Sequence, residues 1–115
     1  MIVPACQSVF DELGVGYSEA VYHTAVETQL RLDGVAYESE VVIPVRYRGH
    51  TVGSVRADLI IDGVVVELKA LTRATKLDAA VRQARMYCRL LGLTRGLVVN
   101  FCQDTGLLGV ESVVV

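Results

Sequence analysis

The chain predicts an α/β domain, and three observations lead there. An Asp62-Gly63 pair sits between two β-branched apolar runs, two stretches at 18–32 and 77–91 carry helical periodicity, and a continuous apolar run at 96–101 has the character of a buried strand. With 115 residues the chain is expected to form one domain, 1–115, with a single core.

Residues 3–13 read as a short helix that stops at Gly14-Val15-Gly16. A second helix follows to Leu32, with Ser18 as its N-cap. Glu19, Tyr22, Val26 and Leu30 recur on one stripe of that helix, which points Glu19 inward. The alternative for Glu19 is a hydrated first-turn carboxylate that complements the helix dipole. His23, Glu27 and Arg31 share a polar stripe, so His23 is expected on an exposed face, and Asp33-Gly34 closes the helix.

Residues 36–47 are strand-rich, and Pro44 within them suggests an edge position or a bulge. Arg48-Gly49-His50 makes a turn, and residues 51–61 return as the first arm of the Asp62-Gly63 hairpin, with Gly53 marking a bulge. A two-residue Asp-Gly loop pairs Ile61 with Val64, Ile60 with Val65, Leu59 with Val66 and Asp58 with Glu67. Strict alternation then gives one apolar face of Ala57, Leu59, Ile61, Val64, Val66 and Leu68, and a second face carrying Arg56, Asp58, Ile60, Val65, Glu67 and Lys69. Two carboxylates opposite each other repel, typically by a few tenths to ~1 kcal/mol, and more where water is excluded. A divalent cation with oxygen ligands beside Lys69 offsets that repulsion, whereas a solvated sheet edge tolerates it without a ligand.

A polar connection, 71–76, leads to the second strongly periodic helix, 77–91, which ends at Gly92. Its apolar face is Leu77, Ala80, Val81, Ala84, Cys88 and Leu91; Arg82, Arg85 and Arg89 follow one flank, Gln83 and Tyr87 the other. An arginine flank is either a solvated face or a phosphate-binding one. After the strand at 96–101 come a turn at Gln103-Asp104-Thr105-Gly106 and a last strand, 109–115, whose apolar end Val113-Val114-Val115 offers an edge for a second subunit.

Composition narrows the function classes. Apolar residues make up 52% of the chain and aromatic residues 6%, with no tryptophan, so aliphatic packing dominates. No apolar run approaches the ~20 residues that span a bilayer, and Met1-Ile2-Val3-Pro4 lacks a basic leader segment, so a cytoplasmic location away from membranes is expected. Cys6, Cys88 and Cys102 are odd in number, widely spaced and set among apolar residues, so they read as small buried hydrophobes in a reducing compartment and support neither a disulfide framework nor a zinc site. The net charge of −2 argues against a generally basic nucleic-acid binder. Its distribution is uneven: residues 1–40 hold seven acids against Arg31 alone, and residues 41–95 hold ten bases against Asp58, Asp62, Glu67 and Asp78.

The order helix, three strands, helix, strand is that of the restriction-endonuclease-like fold, a three-layer αβββαβ core with a mixed central sheet between helices. The chain resembles the GxxExxY family of the PD-(D/E)XK nuclease superfamily. The resemblance rests on Gly16-Tyr17-Ser18-Glu19-Ala20-Val21-Tyr22, Arg56-Ala57-Asp58-Leu59, Val66-Glu67-Leu68-Lys69, the Gln83 to Tyr87 spacing and the strand at 96–101, in that order over nearly the whole chain. Ala57 stands where the superfamily name has proline. The resemblance implies a Mg²⁺- or Mn²⁺-dependent nuclease cutting nucleic acid, DNA before RNA. Asp58 and Glu67 would be metal ligands, Lys69 the catalytic lysine and Glu19 a further acidic and metal-binding residue. Gln83 and Tyr87 would be active-site helix residues. Arg82 and Arg85 are candidates for the substrate backbone from the arginine flank itself, if that flank binds phosphate rather than water. Small nucleases of this fold often act as dimers, so a homodimer or higher homo-oligomer is a candidate assembly, and a non-catalytic interaction module on the same fold is the alternative function.

Overall fold

The computed structural model describes residues 1–115 throughout. The elements run α1 (Ile2–Leu13), α2 (Glu19–Leu32), β1 (Glu38–Tyr47), β2 (His50–Ile61), β3 (Val64–Lys69), α3 (Asp78–Leu91), β4 (Arg95–Phe101) and β5 (Leu108–Val114). The expected elements are all present. Ser18 precedes α2 in an extended conformation, but its side chain makes no capping hydrogen bond. No helix is long and apolar enough to cross a membrane.

The five strands form one sheet in the order β1-β2-β3-β4-β5. Neighbours are antiparallel except β3 and β4, which are parallel and therefore need a crossover, supplied by α3. Helices α1 and α2 cover one face through a cluster that includes Phe10, Tyr22, Val26, Leu30, Leu59, Ile61, Val66, Leu68 and Phe101. Helix α3 covers the other through Ala80, Ala84, Tyr87 and Cys88 packed on Val65, Val98 and Val113. This is a mixed α/β sandwich of the restriction-endonuclease-like kind.

Because β3 lies in the centre with helices on both sides, Val64 to Leu68 are all buried, and Glu67 is the one charged residue among them. Asp62 (φ 49°) and Gly63 (φ 72°) take the left-handed conformations of a type I′ turn, and the pairs Ile61–Val64, Ile60–Val65 and Leu59–Val66 follow as expected. Pro44 lies on β1, an edge strand. The bulge expected at Gly53 lies beside it: the register shifts between Val45 and Arg46, leaving Val52 without a partner.

Three sequence expectations need correction. The β2–β3 ladder ends at Leu59–Val66, so Asp58 and Glu67 are not a backbone pair. Ala57 does not join the face of Leu59; it packs with Ile43, Val65, Tyr87 and Cys88 beneath α3. Alternation breaks at Asp58, where the β1–β2 ladder skips the Glu40–Asp58 step and Glu40 adopts a positive φ of 50°. His23 is half-buried rather than exposed, because its Nε2 lies 3.0 Å from the Ser39 hydroxyl and 3.4 Å from a Glu27 carboxylate oxygen. The three cysteines are buried and free, as expected.

Candidate active site

Where the ladder stops, side chains take over from the backbone. The Asp58 N–H donates to Glu67 Oε2 at 2.8 Å, and the Leu68 N–H donates to Asp58 Oδ2 at 2.8 Å. Beyond the last ladder pair, Leu59–Val66, two backbone N–H groups are thus satisfied reciprocally by the two acids. Each carboxylate keeps one oxygen, Asp58 Oδ1 and Glu67 Oε1, with no hydrogen-bond donor.

Glu67 is only 2% exposed. Burial, then the Asp58 charge, pushes its carboxyl up to about 7; the Asp58 N–H and the Lys69 ammonium pull it down, and Glu19 adds to the upward push. The Tyr87 phenol is raised by its own burial and by the Glu67 and Asp58 charges, with Gln83 opposing through a hydrogen bond. Negative charge is therefore concentrated in a partly dry site, and the two partnerless oxygens are hard donors of the type Mg²⁺ and Mn²⁺ take. By the chemistry of its donor set, the Asp58–Glu67 pair fits such an ion.

The other expected residues fall into two groups. Glu19, Lys69 and Gln83 line one cleft, together with Thr75 and Lys76. Glu19 is exposed at the start of α2 rather than turned into the core, while the rest of its stripe, Tyr22, Val26 and Leu30, is fully buried. It does not complete a three-carboxylate cage, since no group of three His, Cys, Asp or Glu side chains is close enough to hold one ion. Tyr87 is buried, packed with Ile43, Ala57, Val65 and Cys88 and within reach of both carboxylate charges, instead of lying along an open flank. Arg82 is exposed and Arg85 half-buried on α3, and neither lines the cleft.

Gln103 is a residue the sequence did not single out. Its Nε2 donates to the Tyr22 hydroxyl (3.1 Å) and the Phe101 carbonyl (2.8 Å), and its Oε1 accepts the Gly16 N–H (2.7 Å). Tyr22 in turn donates to the Gly14 carbonyl at 2.7 Å and stacks on Phe101 with ring centroids 4.5 Å apart. Gly16, with φ 108°, occupies backbone space that other residues rarely adopt. Of the three motif residues, Gly16 and Tyr22 thus lock the start of α2 onto β4, and Glu19 is what that lock presents to the cleft.

A mixed five-stranded sheet clasped by helices on both faces is the architecture of a restriction-endonuclease-like α/β protein. The chain belongs to the PD-(D/E)XK nuclease superfamily, whose sequence profile matches residues 1–112. Among solved structures the fold is similar to the one titled "Crystal structure of SSO0001", with a TM-score of 0.62 and 22% identity, covering 84% of this chain. This chain spans only half, 50%, of that structure's length. No curated protein matches the sequence.

Proposed function

We propose that the protein is a Mg²⁺- or Mn²⁺-dependent nuclease that hydrolyses phosphodiester bonds, with DNA as its substrate, and that it belongs to the GxxExxY branch of its superfamily. The observation that carries this reading is the Asp58–Glu67 pair, each carboxylate held by one backbone N–H and each with one oxygen left over, beside Lys69.

Asp58 and Glu67 would hold the ion, which when bound supplies Lewis-acid polarisation of the phosphate and a more acidic water. The remaining tasks fall to the chain. The reciprocal backbone hydrogen bonds fix both carboxylates before substrate arrives, so no reorganisation is needed to assemble the site. Lys69, half-buried and two residues beyond Glu67, aims an ammonium group into the cleft, where it orients water or stabilises charge gathering on the phosphoryl oxygens. Gln83 lines the same cleft and offers an amide there, and Tyr87, buried within reach of both carboxylate charges, limits water around them. Glu19 acts from the mouth of the cleft, through water, rather than as a direct ligand. Arg82 and Arg85 serve the flanking phosphates as sequence-independent contacts.

The test is calorimetric titration with Mn²⁺. Wild-type protein is expected to bind and Asp58→Ala to show no measurable binding. Lys69→Met is expected to retain binding while cutting more slowly by a factor on the order of 10² or more. No heat of binding with the wild type removes the metal-dependent reading.

A second reading, a non-catalytic nuclease-fold module that assembles with copies of itself, is favoured by β5. That strand has one neighbour, β4, and its outward Val114 is 73% exposed. Light scattering that finds only monomer at micromolar concentration removes this second reading.

A further inference from the structure

The largest cavity lies apart from the Asp58–Glu67 pair and is distinct from the cleft of Glu19, Lys69 and Gln83. It has a volume of about 600 Å³ and lies on the α3 side of β4 and β5, bordered by the loop that connects β3 to α3. Thr75 and Lys76 line both this cavity and the cleft of Glu19, Lys69 and Gln83, so the two are adjoining compartments.

The cavity contains a buried polar group that the fold does not consume. Asn100, in the middle of the sheet, is 4% exposed and lines the cavity. Its Oδ1 accepts the Leu71 N–H at 2.8 Å, which fixes the amide orientation, and its NH₂ group has no acceptor in the protein. Every buried side-chain polar atom fully shielded from solvent has a partner, so this NH₂ reaches the cavity space. Buried donors are costly unless satisfied, and one held open toward a cavity points to a ligand acceptor or ordered water. Around it the cavity supplies complementary chemistry: the exposed Glu111 carboxylate as an acceptor, apolar surface from Leu77 and Val81, a second carboxylate from Asp78, and the Lys76 ammonium, which forms no ion pair.

We propose that this cavity receives one unpaired nucleotide of the substrate, base inward against Asn100 and Glu111, with its phosphate at the Lys76 rim that leads to the cleft. The inference rests on the nuclease reading and adds a substrate class to it. Adenine, cytosine and guanine each present a ring-nitrogen acceptor and an amino donor, which match the Asn100 NH₂ and the Glu111 carboxylate. In a duplex those edges are taken up by the partner strand and the faces by stacking, so only a base already unpaired or extruded can enter. The volume of about 600 Å³ suits a nucleotide-sized ligand, and the mixed polar and apolar lining suits one that carries both a base and a phosphate.

The strand glycine at 109 provides the means to test this. A Cβ there meets only the Asn100 Cβ at 3.7 Å and carbonyl at 3.8 Å, ordinary contacts, so Gly109→Val starts without a clash at its Cβ and adds two methyls at the cavity wall; a wild-type-like melting curve checks that the variant folds. Asn100→Asp is the companion variant; it keeps an acceptor for the Leu71 N–H and removes the free donor. Binding is measured in EDTA, without turnover, by NMR with 5′-dAMP, 5′-dCMP, 5′-dGMP and 5′-TMP, and by anisotropy with a 12-mer single strand and its duplex. An amino-bearing nucleotide is expected to shift the Asn100 side-chain amide resonances, and the single strand to bind more tightly than the duplex. Gly109→Val should weaken single-strand binding by about tenfold, with duplex binding unchanged. An unmoved Asn100 amide, or a Gly109→Val protein that binds single strands like the wild type, overturns the proposal. A chain that binds nucleotides at Asn100 but never cuts in Mg²⁺ refutes the nuclease reading alone. One that cuts with unaltered kcat and KM after Gly109→Val refutes the cavity alone.

Discussion

Glu67→Gln is expected to raise the melting temperature of the metal-free protein at pH 8, by roughly 10 °C for a domain of this size. In the folded chain the Glu67 carboxyl is pushed from 4.5 to about 7, first by burial and then by the Asp58 charge. A carboxyl with a raised folded value binds its proton more tightly in the folded state than in the unfolded one. Its favourable contribution is therefore complete below pH 4.5 and is lost as pH rises through 7. Above that window the ionised form costs the fold about 3 kcal/mol. Glutamine keeps an oxygen for the Asp58 N–H and carries no charge, so the variant escapes the cost, and the gap between the two proteins closes as pH falls toward 4.5. Thermal melts of both proteins from pH 4 to 9 in EDTA measure this. A constant difference across the window rules out a charged, buried Glu67 as its cause. Added Mg²⁺ is expected to stabilise the wild type at pH 8 and to leave Glu67→Gln nearly unchanged, because the ion compensates a charge that the variant lacks. If the acids formed only a solvated polar face, the substitution would be neutral at every pH.

The hairpin that carries Glu67 was legible because its signals are local. Asp62-Gly63 sets a turn, the turn sets the register, and the register brings Asp58 next to Glu67 within ten residues of sequence. What the register could not reveal is the break at Asp58, which depends on Glu40 in a different strand and on the strands parting beyond Leu59. Strict alternation therefore put Ala57 on the wrong face. Helix limits were readable where glycine stops the chain, as at Gly92 in its left-handed conformation. Which flank of α3 meets the acids was readable in part, since Gln83 and Tyr87 arrive there. The depth of Tyr87 was not, because helical spacing says nothing of what lies across from the helix. Gln103 and Asn100 were invisible for the same reason. Their partners lie at separations of up to 87 residues, and in sequence one sits in a turn and the other at the end of an apolar run.

Tyr22 separates packing from chemistry within the Gly16, Glu19, Tyr22 motif. Its ring is fully buried, stacked on Phe101 and edge-on to Phe10 at 5.8 Å. Tyr22→Ala is expected to cost about 3–5 kcal/mol, since truncating a buried aromatic loses its transfer free energy and leaves a cavity. Tyr22→Phe keeps the ring and removes one hydroxyl that donates to Gly14 and accepts from Gln103, which is worth about 1–2 kcal/mol. Urea denaturation supplies both values. If Tyr22 works only by docking α2, the Tyr22→Phe protein that remains folded keeps its Mn²⁺ affinity and its rate of cutting, because Glu19 still reaches the cleft by the Gly16–Gln103 hydrogen bond. A stable Tyr22→Phe protein that binds metal yet no longer cuts would instead assign the phenol to the reaction. The two side chains of the motif lie one helical turn apart, and they divide between core and cleft because Tyr22 is fastened to β4 and its following turn while Glu19 sits at the exposed start of the same helix.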